Sequence, residues 1–167
     1  MHIHDDHRHY GSALIQIAED AHFTSINAVH YAGSVSRCGF RINKEIGIYI
    51  KYRSKPRGKK CPLYAFSFSQ ENLRELRAMR KNRPRLFVAL VCVKAREICC
   101  LPYNTLVRFI EARLKAKGEK EEEYTIEVSV FKNVKLRVWI SEPNTRGTYI
   151  DQQLVSRNNF PRKLFEK

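Results

Sequence analysis

The sequence predicts a mixed α/β protein: a central mixed sheet flanked by helices, built as an α–β–β–β–α–β core followed by a C-terminal β-hairpin. Three observations predict this class. Val35–Ile42 with Ile46–Tyr52, and Tyr124–Phe131 with Val134–Ser141, are pairs of alternating runs around short polar connections, the pattern of a hairpin. Gln70–Asn82 and Pro102–Lys117 repeat apolar residues at helical spacing. Arg85–Val93 is continuously apolar, as expected of a strand covered on both faces. The 167 residues suit one domain with a real core. We place that domain at residues 11–167, behind a flexible His-rich N-terminus at residues 1–10.

Each element has a local reason. Ser12–Ala21 reads as a short helix with Ser12 as N-cap and Leu14, Ile17, Ala18 and Ala21 on one face. His22–Ser34 reads as a connection, with Ile26, Ala28 and Val29 packed and a turn at Gly33-Ser34. In the hairpin that follows, Ile46, Ile48 and Ile50 share one face; Gly47, Tyr49 and Lys51 share the other. Ser54–Pro62 is a loop rich in Pro, Gly and cations, and Leu63–Ser69 alternates as a strand. Ser69 caps the helix Gln70–Asn82, but Asn72 stands where a capping box would have Glu or Gln, so the full box is not expected. Leu73, Leu76 and Met79 form that helix's buried stripe. Glu97–Leu101 is a short strand, Gly118 stops the second helix, and Trp139 anchors the core of the last hairpin. Ile150–Arg157 reads as a short helix. The closing Phe160, Leu164 and Phe165 either dock on the body or offer a protein partner a contact.

Charge is the feature this scaffold does not explain. The net charge is +14, and between Val35 and Cys100 there are 17 Lys or Arg against four Glu. Such a field draws phosphates over long range and weakens with salt. The cations that would grip a phosphate backbone are Arg37, Arg41, Lys51 and Arg53 on the hairpin and Lys55, Arg57, Lys59 and Lys60 in the loop. Arg74, Arg77 and Lys81 add a helix face. Arg80, Arg83 and Arg85 extend the polarity of that face. The expected partner is a nucleic acid, DNA before RNA.

Other classes are disfavoured. No apolar run reaches the roughly 18 residues of a membrane span, and MHIHDDHRHY has no secretory core. A cytoplasmic location with reduced thiols is expected. Cys92, Cys99 and Cys100 sit in apolar runs, and no Cys/His signature supports a thiolate nucleophile. Alternating His2, His4, His7 and His9 take up Zn²⁺ or Ni²⁺ only opportunistically, because no spacing elsewhere completes a zinc site. The only Asp are Asp5, Asp6, Asp20 and Asp151, so the predicted core strands are poor in carboxylates that would hold Mg²⁺.

The element order from residue 12 to residue 101, with Lys51 borne on a strand, resembles the restriction-endonuclease-like family, also written PD-(D/E)XK. That resemblance implies Glu19 as a helix acid, Lys51 as the motif lysine and Glu45 as a displaced acid, with Mg²⁺ as cofactor. The residue two before Lys51 is Tyr49, where the family has a carboxylate. Two functions are therefore expected to compete. One is a protein that grips the phosphate backbone, for instance as a subunit of a DNA-processing or defence assembly. The other is a metal-dependent nuclease using Glu19, Glu45 and Lys51. A protein-interaction adaptor using the C-terminal segment is a third.

Overall fold

The computed structural model describes residues 1–58, 60–145 and 147–167. It is an α+β protein with two sheets where the sequence suggested one. The first sheet has strand order β1-β2-β3-β5-β6, using β1 (Ile26–Tyr31), β2 (Ser34–Ile42), β3 (Ile46–Arg53), β5 (Arg85–Cys92) and β6 (Glu97–Pro102). Only β3 and β5 run parallel. The second sheet is antiparallel, β4-β7-β8-β9, with β4 (Leu63–Ser69), β7 (Glu123–Ser129), β8 (Leu136–Ser141) and β9 (Tyr149–Val155). The helices are α1 (Asp5–Ala18), α2 (Gln70–Asn82) and α3 (Tyr103–Lys117).

The alternation of β3 explains the layering. Ile46, Ile48 and Ile50 pack with Ala13 and Ile17 of α1 and with Phe160 and Leu164 of the C-terminal turns. Tyr49 points the other way, into a core shared with α2, α3 and the inner face of the second sheet, where Phe66, Phe68, Leu76, Val88, Phe109 and Val138 meet. The C-terminal segment thus docks on the body: Phe160 and Leu164 are buried.

Several expectations are corrected. Helix α1 begins seven residues before Ser12, so most of the His-rich stretch is its first turns. Asp5 and Asp6 complement the positive end of the helix dipole, and Tyr10 and Leu14 pack onto the Ile46/Ile48/Ile50 face. Ser12 donates to the His9 carbonyl from inside the helix, at 2.8 Å, instead of capping it. The connection 22–34 contains β1, whose turn into β2 puts both Ala32 (φ 49°) and Gly33 (φ 79°) in the left-handed region. That is a tight hairpin turn with a residue type sequence reasoning does not expect there. Of the stretch expected as a helix, Ile150 to Val155 lies in strand β9 and only Arg157 enters a 3-10 turn; the backbone partners offered by β8 outweigh a neutral local preference. Trp139 lies half-buried on the outer face of the second sheet, 6.4 Å from the Tyr149 ring, while Val138 and Ile140 fill the core. The α2 capping box does form, because the Asn72 side chain replaces Glu or Gln: Ser69 N–H donates to Asn72 Oδ1 (3.1 Å), and Asn72 N–H donates to Ser69 Oγ (3.2 Å). Among the described residues no helix is long and apolar enough to cross a membrane.

Candidate nucleic-acid interface

The β–β–β run predicts β4 in the same sheet as the first hairpin. It pairs in the second sheet instead, and cations meet its edge facing β3. On its side away from β7, alternate carbonyls are met by groups from β3 and the following loop. Ser67 O accepts from Lys51 Nζ, Ala65 O accepts from Arg53 Nε at 2.6 Å, and Leu63 O accepts from Arg57 N–H at 2.6 Å. Lys51 Nζ also donates to Asn72 Oδ1 (2.9 Å) and lies 4.9 Å from the centre of the Phe68 ring. Lys51 and Arg53 therefore close a sheet edge that would otherwise expose free backbone acceptors. Burial pulls the Lys51 amine below its ordinary pKa.

Around Lys51 the structure places a hydrogen-bonded network. Asn72 Nδ2 donates to the Tyr49 hydroxyl, and that hydroxyl donates to Glu75 Oε2, both at 3.1 Å. Tyr10 of α1 and Cys38 of β2 meet at 3.3 Å. Burial, first of all, pushes both phenols well above their ordinary range. The sequence hid this set because its members are scattered over four elements and only Lys51 belongs to a recognisable pattern.

Glu19 and Glu45 do not join Lys51. Glu19 caps the C-terminus of α1 in the open. That helix covers the Ile46/Ile48/Ile50 face of the sheet, whereas Lys51 lies on the Tyr49 face. Glu45 is exposed in the β2–β3 turn, six residues along the strand from Lys51, or about 20 Å. The residues around Lys51 do not fit the Mg²⁺ that the family resemblance implies: Tyr49 stands where a carboxylate ligand is needed. Among the described residues no group of three or more His, Cys, Asp or Glu is positioned to hold a metal ion.

The remaining predicted cations divide by position. Helix α2 runs back along β3: Asn72 lies near Lys51, and Arg83, just past the helix, lies against Gly47. Arg37, Lys55, Arg57, Lys60, Arg77 and Lys81 are exposed, and none of these side chains makes an ion pair among the described residues. Arg74 pairs with Glu71 at 3.3 Å in the open. Lys55, Arg57 and Lys60 follow the C-terminal end of β3, beside Lys94 and Arg96 of the β5–β6 turn; Lys94 N–H donates to Ser54 O at 3.2 Å. Arg41, Lys44, Lys81 and Arg83 gather at the opposite end. The length of β3 separates the two groups by about 23 Å. Arg37 lines a cleft of about 770 Å³ between α1 and β2, together with His4, His7 and Tyr10. Lys59 lies outside the described residues.

No protein-family model, curated protein or solved structure matches the chain.

Proposed function

We propose that this protein binds nucleic acid, duplex DNA first, through its phosphate backbone, and does not cut it. One observation carries the reading: exposed cations that have no acidic partner among the described residues stand at both ends of β3, within the segment that holds nearly the whole charge surplus. A surface of this kind gains affinity by releasing condensed counterions, which needs neither a metal nor base readout. The two groups of cations lie too far apart to share one phosphate, so the footprint covers several base pairs, at one backbone charge per roughly 1.7 Å of duplex.

The test is an electrophoretic shift with labelled single- and double-stranded DNA and RNA, in EDTA or Mn²⁺, at two salt concentrations. The expected result is an intact, shifted duplex in EDTA that fades steeply as salt rises. Absence of any shift at low salt sinks the reading. Mn²⁺-dependent cleavage that disappears in Lys51→Ala replaces it with the nuclease.

A further inference from the structure

Arg41 and Arg83 differ from every other described cation in the basic segment. Each is half-buried, and each has an Nε–H that is buried with no hydrogen-bond partner; no other buried side-chain nitrogen or oxygen among the described residues is left so. Neither guanidinium makes an ion pair among the described residues. A buried unpaired donor on a charged group is costly, and native structures rarely keep one without a reason.

The backbone builds this arrangement. Arg41 on β2 stands directly across from Gly47 on β3. Because Gly47 has no side chain, the stem of Arg83 runs over the same spot: a Cβ at position 47 would sit 3.2 Å from Arg83 Cδ and 2.9 Å from a Leu86 methyl carbon. The glycine thus brings two arginines from different elements onto one patch of sheet. Burial, and then the neighbouring Arg41, lower the Arg83 pKa, so the two guanidiniums are close enough to repel each other.

We propose that Arg41 and Arg83 form a seat for one phosphate group of the bound nucleic acid, the tetrahedral oxyanion being held between two guanidiniums. The proposal rests on the nucleic-acid reading above for the source of the phosphate, but the seat's chemistry is that of any phosphate group. A phosphate drawn to the exposed tips lets each side chain turn its Nε–H edge to an oxygen in the two-bond geometry that arginine favours. The repulsion between the two cations is then offset and both orphaned donors are satisfied. Asn27, exposed on β1 and paired across from Arg41, borders the same spot.

The experiment uses the full chain, with Arg41→Gln, Arg83→Gln, the double variant and Arg83→Lys. The first measurement is thermal unfolding in inorganic phosphate and in chloride at matched ionic strength. Phosphate should raise the wild-type midpoint by a few degrees and leave both Gln variants unmoved. In chloride the Gln variants should unfold no earlier than wild type, because they lose an unpaired buried charge. Equal phosphate shifts in wild type and variants overturn the seat.

The second measurement is duplex affinity across a salt series. Either Gln variant should lose about tenfold and about one unit of salt slope, as for one lost phosphate contact. The double variant should lose little more, since both arginines serve one phosphate. Arg83→Lys should keep the charge but not restore affinity. If wild type binds duplex and all variants bind it equally, the seat fails while the nucleic-acid reading stands. If wild type binds no nucleic acid but shows the phosphate shift that the variants lose, that reading fails while the seat stands.

Discussion

Arginine is used in opposite ways in the two halves of this molecule. Around α3 and the second sheet, three guanidiniums are matched to acids. Arg113 grips Glu121 with two bonds of 2.8 and 2.9 Å and donates a third to Ser141 O at 2.7 Å. Arg108 pairs with Asp151, and Arg157 pairs with Glu97. Around β2, β3 and α2, the described cations bond to backbone carbonyls, as Lys51 and Arg53 do, or have no acidic partner, save Arg74, whose exposed side chain pairs with Glu71. A paired arginine has spent its charge inside the fold; an unpaired one keeps its field in solvent. The charge surplus thus sits in the half of the protein where cations lack acids, which is the half the proposed function draws on.

The comparison can be broken by changing one kind of cation and measuring the property assigned to the other. The largest effect is expected from reversing unpaired charges. Lys55→Glu, Lys60→Glu and Lys81→Glu together should weaken duplex binding about 100-fold at low salt and flatten the salt slope by about three. The unfolding midpoint should stay put; a collapse of stability in that variant would show these lysines to be structural. Fluorescence anisotropy over a NaCl series reads the binding.

Next comes Lys51→Ala. It strips a donor from the Ser67 carbonyl and from Asn72, and should lower stability by about 2 kcal/mol in a denaturant titration. A stable variant with lost DNA binding would move Lys51 into the interface.

Arg113→Ala should cost about 1–2 kcal/mol and leave DNA affinity unchanged. The same pair predicts acid sensitivity. The Arg113 hydrogen bonds hold the Glu121 carboxyl below its usual value of 4.5. The stability this adds is complete above that value and is lost as pH falls through the lower folded pKa. Acid unfolding followed by circular dichroism should therefore show a shallower loss below pH 4.5 in Arg113→Ala than in wild type. The smallest effect belongs to Arg74→Ala, whose exposed pair with Glu71 is worth about 0.3 kcal/mol or less.

How legible these features were in the sequence follows their range. The bounds of β4 and α2 are local, set by alternation and by the Ser69 cap, and the structure places both as expected. The core positions of Cys92, Cys99 and Cys100 were equally plain; burial pushes the Cys92 and Cys100 thiols up to about 12. Which sheet β4 joins is decided by pairing with β7, nearly sixty residues away, and no local pattern carries that information. The same holds for the candidate site. Arg41 and Arg83 were visible as cations, but their meeting over Gly47 depends on how α2 returns along β3. Glu19 and Glu45 were visible as acids, and the sheet that parts Glu19 from Lys51 was not.

The β4 edge has a consequence for the order of folding. Its side-chain closures join residues 12 and 16 apart in the chain, while its neighbour Thr125 in β7 is 58 residues from Ser67. Loops of that shorter size close in roughly 100 ns, and entropy opposes long closures more. Lys51 and Arg53 can therefore hold β4 beside β3 while the C-terminal half is still finding its place. Of the contacts that place β4, these carry the lower closure entropy, and the pairing with β7 that completes the second sheet carries the higher one.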